Sequence, residues 1–336
     1  MKRVELAHGS GGLATHQLVK DLFIRAFDNP WLSLLEDQAR LELNDFNTGL
    51  HRLAFSTDSY VIDPLFFPGG DIGKLAVCGT VNDIAVSGAT PRWLSCGFII
   101  EEGLPLAELE RIVDSMASAA KRVGISIVTG DTKVVPCGAA DKLFINTAGI
   151  GVIPGSLNWG AGQIAAGDSI IVTGTLGDHG ATILNIREQL GFKGALESDC
   201  AALDTLIAPL IPVAGVKALR DATRGGVNAV LHEFSAMSGC GIEITERELP
   251  LSPAVRGICE LLGLDALNLA NEAKLVIVAS GKAAPVILSH LKNHPLGVNA
   301  AVIGEVVSRP GVRICGLYGV RRTLDLPHSE PLPRIC

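Results

Sequence analysis

Aromatic side chains are scarce, with Phe, Trp and Tyr together making up 4% of the 336 residues. So sparse a set does not build a stacking platform for bases. Runs of Lys and Arg are missing too, and 28 basic against 35 acidic residues leave a net charge of −7. Phosphate contacts dominate nucleic-acid affinity, so this balance excludes nucleic acid as the expected partner. No stretch approaches the ~18 uninterrupted apolar residues of a membrane span. The N-terminal MKRVELAHGSGG has Glu5 and His8 where a signal peptide needs an apolar run. The expected location is the cytoplasm, away from membranes. The eight cysteines form no CxxC pair and the eight histidines no HExxH or HxH, so no zinc site is legible. In a reducing compartment the internal cysteines are expected as small buried hydrophobes. A Walker A loop is absent. HGSGG (8–12) with Ala14 matches G-x-G-x-x-A, yet no second parallel strand ending in a ribose-binding acid follows, which excludes a Rossmann site.

Glycine is abundant, at 38 residues, well above the ~7% of average chains. Without a collagen period, that excess points to tight turns and close backbone-to-ligand approaches. Apolar spacing predicts an amphipathic helix over 16–27, then a strand over 52–59 ending in a polar turn. A helix over 71–88 capped by Asp71, a buried strand over 94–100 and a helix over 106–123 follow, with strands over 125–131 and 142–153. Mixed elements at this density make an α+β unit. The Gly- and Pro-rich stretch 154–167 reads as a boundary. Beyond it come a strand (169–174), a helix (178–190) after a Gly-Asp-His-Gly turn, and a helix after DATRGG (221–226). A strand (274–280), a helix (283–292) and a strand (301–307) complete the second unit. Four parts are expected: a Gly-rich segment and helix at 1–42, an α+β domain at 43–154, a second at 165–322, and a flexible tail at 323–336. The ending PHSEPLPRIC has three prolines and little to bury, so it reads as extended.

Several residues could carry chemistry. Asp58 in STDS, Asp83 in VNDIA and Asp131 in TGDTK are expected in turns, and Asp221 is expected to open a helix. One such Asp forms a turn or a cap. Four carboxylates drawn into a cleft repel one another unless a cation such as Mg²⁺, shared with phosphate oxygens, neutralises them. HGSGG and TRGG (223–226) each lead into a helix and can aim N–H groups at an anion. Lys133 and Arg224 are the cations best placed for a phosphoryl group. Glu272, in NEAKL before an apolar strand, can project into a cleft, and His8 and His179 are further acid/base candidates. Cys336 is the last residue, and a thiol on a swinging arm can be loaded at one site and delivered to another.

The segments HGSGG, STDSYVIDPLFFPGGDIGKLAVCGTVNDIAVSGA, TGDTKVV, GDHG, DATRGGV, NEAKL and the terminal PRIC resemble the HypE family of hydrogenase maturation proteins. That family lies in the ATP-binding superfamily of aminoimidazole ribonucleotide synthetase, selenophosphate synthetase and thiamine-monophosphate kinase. The resemblance runs from about His8 to Cys336, with PRIC its most specific part. It implies a two-domain, aminoimidazole ribonucleotide synthetase-like α+β fold whose N-terminal domains pair into a dimeric β-barrel. It implies ATP and Mg²⁺ as cofactors, with Asp58, Asp83, Asp131 and Asp221 near metal and phosphates. His8, Gly9, Gly11 and Gly12 would belong to a segment closing over nucleotide, with Thr132, Thr223 and Gly225 as further nucleotide contacts. Cys336, Glu272, Lys133 and Arg224 would be catalytic. The implied reaction is ATP-dependent dehydration of a carbamoyl group on Cys336 to a thiocyanate, loaded by the HypF carbamoyltransferase and passed to iron on a HypC–HypD scaffold. Ala273 departs from the Gly expected in NEAKL. The alternatives are a small-molecule kinase or synthetase that does not need Cys336, and a carrier whose terminal Cys works without ATP.

Overall fold

A computed structural model describes residues 3–9, 17–30, 51–192, 196–327 and 334–336. The first described helix runs from residue 17, with a π-helical stretch Val19–Ile24 continuing into Arg25–Phe27. Its apolar positions Leu18, Leu22 and Phe23 are buried, as their spacing predicts.

The longer elements that follow are β1 (Arg52–Tyr60), α1 (Ile72–Ala85), β2 (Thr90–Glu101), α2 (Leu106–Val123), β3 (Ser126–Val135) and β4 (Leu143–Ile153). The sheet order is β1-β4-β2-β3, with only the β2–β3 pair parallel, so β1 and β3 are its two edges. α1 and α2 pack on one face of it. Asp71 caps α1, its carboxylate accepting from the Gly73 and Lys74 amides at 2.8 and 3.1 Å. α2 ends where Gly124 turns left-handed at φ +77°.

The second unit contains β5 (Asp168–Val172), α3 (Asp178–Arg187), β6 (Val216–Asp221), α4 (Gly226–Ser238), β7 (Gly241–Thr245) and α5 (Pro253–Leu262). It closes with β8 (Leu275–Ser280), α6 (Ala284–Lys292), β9 (Ala301–Val307), β10 (Gly311–Cys315) and β11 (Arg321–Thr323). These strands form a seven-stranded sheet ordered β11-β10-β7-β9-β5-β8-β6. Strands β6, β7, β10 and β11 and helix α5 are not among the elements expected from the apolar spacing.

One apolar core crosses from the first unit into the second. It joins Leu75, Ile112 and Ile145 to Ile183, Ile258 and the penultimate residue Ile335. Among the internal cysteines, Cys137 is exposed rather than buried, because it sits in the turn between β3 and β4. No helix among the described residues is long and apolar enough to cross a membrane.

The α1–α2 crossing is close because Gly73 has no side chain. A Cβ there would lie 2.4 Å from the Ile112 carbonyl oxygen and 2.8 Å from Met116 Cγ. Gly73→Ala is expected to destabilise the fold by about 1–3 kcal/mol, the usual range for overpacking, as measured by urea unfolding.

Candidate functional site

Two strand–helix junctions, β5 to α3 and β6 to α4, are tied to residues 271–274, just before β8. Asn271 Oδ1 accepts the Gly177 amide at 2.7 Å, while its Nδ2 donates to the Ala222 and Leu269 carbonyls at 2.9 and 3.1 Å. That one side chain ties the start of α3 and the DATRGG turn to NEAKL. Asp199 holds the next three residues, accepting at 3.0 Å from the Glu272 amide, the Ala273 amide and Lys274 Nζ. Burial pushes the Asp199 carboxyl up, but Lys274 and the amides outweigh it and hold it below the usual carboxylate range. From the first unit, Asn82 of α1 donates to the Ala201 and Glu272 carbonyls, both at 3.0 Å, and accepts the Leu203 amide at 2.8 Å.

This scaffold strands the Glu272 carboxyl. It is 2% exposed, its Oε1 has no hydrogen-bond partner, and His179 Nε2 stands 3.8 Å away. Burial, followed by the charges of Asp199, Asp221 and Asp58, pushes it well above the usual carboxylate range. Its surroundings therefore disfavour the charged form of this carboxyl.

The chain's end is seated beside it. The Val61 amide donates to the Cys336 carbonyl at 3.0 Å, and Arg334 Nε donates to the Val61 carbonyl at 2.9 Å. The Arg334 guanidinium also pairs with Asp141, and Arg187 donates to the Arg334 carbonyl. Ile335 is 1% exposed. The expectation of an extended ending with little to bury is thus corrected at its tip, where Ile335 fits the core and the Val61 amide, His179 and Arg187 satisfy the three backbone carbonyls. Residues 328–333 lie outside the described residues.

His179 was expected in a turn, but Asp178 already begins α3 and the imidazole points into the core with no exposed surface. Its Nε2 lies 2.8 Å from the Ile335 carbonyl, which can only accept, so Nε2 carries the hydrogen. Nδ1 then accepts from Ser198 Oγ at 2.7 Å. Burial holds the His179 pKa below its ordinary value, so the ring is neutral. With both nitrogens committed, His179 is not a free base in this state.

On the other side of the seam an open cleft of about 710 Å³ is lined by Ser56, Asp83, Asp221, Thr223 and Arg224. The aspartates are not in the turns expected of them. Asp58 lies inside β1, because STDS goes on pairing with Asn146 and Thr147, and Asp83 lies inside α1. Asp221 ends β6, and α4 opens only at Gly226, after Gly225 at φ +74°. Asp83 is pushed up to about 8 by burial and then by the charges of Asp221 and Asp58. Asp221 is pushed up to about 6, by burial and by Asp58.

Asp131 is different. It lies inside β3, paired with Lys133 at 2.9 Å, which lowers its pKa, and both side chains are exposed. The Thr132 amide donates to the same carboxylate at 2.9 Å. Within one chain these three residues stand apart from Asp58, Asp83 and Asp221. His8 Nδ1 accepts the Glu5 amide at 3.0 Å in a short turn, Leu6–Gly9, while Gly11 and Gly12 lie outside the described residues. Among the described residues, no three His, Cys, Asp or Glu side chains converge closely enough to hold a metal ion by themselves. Asn82, Arg187, Ser198, Asp199 and Asn271 were not singled out in the sequence. Asn82 and Asn271 sit inside quoted motifs and could have been found; Ser198 and Asp199, in ESDC, carry no local signal.

The chain matches the models of AIR synthase related proteins, the N-terminal domain over residues 36–153 and the C-terminal domain over 165–315. Its class is thus the two-domain AIR synthase related proteins. It is similar to the carbamoyl dehydratase HypE of Escherichia coli strain K12, at 67% identity over 336 residues and the full length of both chains. It is also similar to a crystal structure of HypE in complex with ATP, at 47% identity with a TM-score of 0.94 and 99% of each chain covered. A crystal structure of a HypE–HypF complex matches at 47% identity with a TM-score of 0.80, covering 92% of this chain and 99% of that one. The chain belongs to the HypE family of carbamoyl dehydratases.

The Asp83 shift has a consequence for stability. Its carboxyl holds a proton up to about pH 8 in the fold, against an ordinary value of 3.8. Between those values the folded chain binds more protons than the unfolded one, so this contribution is full below about pH 4 and is lost as pH rises through about 8. Urea unfolding at pH 5 and pH 8, without nucleotide, is expected to show lower stability at pH 8. Asp83→Asn, which cannot ionise, is expected to remove part of that fall.

Proposed function

We propose that this chain uses ATP to dehydrate a carbamoyl group carried on its own Cys336, giving a thiocyanate. The observation that carries this reading is the seated terminus, with Ile335 and Cys336 held next to a buried, unpartnered Glu272 and a cleft of carboxylates close by. An amide oxygen is a poor leaving group. Transfer of the γ-phosphoryl group to it releases ADP, and expulsion of phosphate with loss of the N–H protons leaves S–C≡N. The protein's part is positioning and charge stabilisation. Once ionised, Glu272 accepts a proton from nitrogen, and its buried, repelled carboxylate is a strong base. Arg224 at the cleft rim meets the phosphates, and Thr223 and Gly225 present the turn that approaches them.

Asp58, Asp83 and Asp221 fit Mg²⁺. Burial pushes Asp83 up to about 8, and the charges of Asp221 and Asp58 add to it; a divalent cation relieves that repulsion, with phosphate oxygens completing its oxygen shell. Bound there, Mg²⁺ would supply charge neutralisation to the transferring phosphoryl group. A second copy of the chain would bring Asp131, Thr132 and Lys133 to the site. β1 and β3 are the free edges of one sheet, and Phe55 on β1 is 71% exposed. Pairing β1 of one copy with β3 of the other closes the sheets and covers that face. In this reading HGSGG (8–12) closes over the nucleotide, the linker near 154–167 joins the two domains, and the 323–336 tail carries the thiol. HypF loads Cys336, a HypC–HypD scaffold receives the cyanide, and the reaction is cytoplasmic.

The test is intact mass after incubation with ATP, carbamoyl phosphate and the carbamoyltransferase. Wild type is expected to gain a carbamoyl group and then lose one water, with peptide mapping placing the change on Cys336. Cys336→Ala is expected to gain nothing while still binding ATP. Glu272→Gln is expected to accept the carbamoyl group but to dehydrate it roughly 10²- to 10⁴-fold more slowly. Modification of an internal cysteine, or dehydration without ATP, would overturn the reading.

A further inference from the structure

The thiol that must meet a transferase sits on a terminus that is tucked away. Ile335 is 1% exposed and Cys336 is half-buried, so loading requires the tip to leave its seat. What it leaves behind is a histidine with a single N–H. The His179 ring cannot turn over without giving up Ser198, whose Oγ is itself fixed by the Cys200 amide at 3.1 Å. The Phe67 ring stands edge-on to it at 5.4 Å between centroids. Nε2–H therefore faces two acceptors and can serve one: the Ile335 carbonyl at 2.8 Å, or Glu272 Oε1 at 3.8 Å, which has no other partner.

The geometry points to His179 as a positioning residue that exchanges this N–H between the docked terminus and Glu272. A buried N–H left unpaired is costly, so when Ile335 departs the hydrogen turns to the carboxyl. When Ile335 returns, the bond is withdrawn. This deepens the dehydratase reading and rests on it for the role of Glu272: the base loses its stabilising donor at the moment its substrate arrives.

Among the described residues, the charged groups that bear on Glu272 do not make up the loss. Asp199, Asp221 at the end of β6, Asp58 of β1 and Cys78 of α1 each disfavour the carboxylate, while Cys200 and Tyr60 of β1 lie near enough for its charge to push their own pKa values up. The neighbouring cation, Lys274, is paired with Asp199. His179 itself is faced by Asp199 and Arg187, neither of which competes for Nε2.

Linkage makes the exchange measurable. A hydrogen bond made only in the undocked state favours the Glu272 carboxylate there, so the docked state holds the proton more tightly. Raising the pH must then release the tail, by the same coupling read in reverse. The readout is removal of Cys336 from the full chain by carboxypeptidase, followed by intact mass from pH 6 to pH 9. Rates are expressed relative to Glu272→Gln in the same buffer, which cancels the protease's own pH dependence.

The wild-type ratio is expected to rise with pH, by roughly tenfold for one charge-assisted hydrogen bond. His179→Ala is expected to be flat. His179→Gln, which keeps an N–H at similar reach, is expected to restore part of the rise. A wild-type ratio that does not change with pH, or a rise that persists in His179→Ala, would overturn the exchange. The digestion needs neither ATP nor a transferase, so failure of the dehydratase reading would show in the mass assay and leave this outcome standing.

Discussion

Asp199 is the point on which the rest of the site depends. Its three hydrogen bonds, to the Glu272 and Ala273 amides and to Lys274, fix the backbone of the NEAKL segment while leaving the Glu272 side chain out of the arrangement. A buried carboxylate survives because a cation and two amides compensate it. Glu272, held by its backbone, receives no such compensation, and burial pushes its carboxyl well above the usual range. The same scaffold thus holds one carboxyl below its usual range and pushes another well above it.

The second constraint is the close approach of the two units. Asn82 reaches from α1 to the Ala201, Leu203 and Glu272 backbone, and the apolar core runs through the seam to Ile335. The residue after Asn82 is Asp83, so the helix that stitches the units together also sets a carboxylate at the cleft opposite Asp221. Stability and charge repulsion are placed by adjacent positions of one helix. A cluster of mutually repelling carboxylates is tolerated there because the surrounding core holds it.

Much of the architecture was legible locally. Helices α1, α2 and α4, and the apolar strands β2, β4, β5, β8 and β9, announce themselves by period, caps and bounding glycines. The aspartates were legible as a set but not in their settings. A polar STDS looks like a strand's end, and only the ladder to β4, which continues through Tyr60, keeps Asp58 inside β1. Asp131 and Lys133 looked like partners of the other carboxylates by their motif, yet on the edge strand β3 they are paired with each other.

By itself, the sequence determined the family, the α+β character and the set of acidic and Gly-rich motifs. Those properties reside in residue type and spacing along the chain, which local pattern preserves. Tertiary structure decided that the Glu272 carboxyl is pushed well above its usual range, that His179 is a neutral donor bound to the terminus, and that Ile335 belongs to the core. Each of these depends on groups more than 70 residues apart in the chain: Asp199 beneath Glu272, and Ile335 above His179. Burial and charge at such contacts are properties of the packed interior, and no stretch of local sequence contains them.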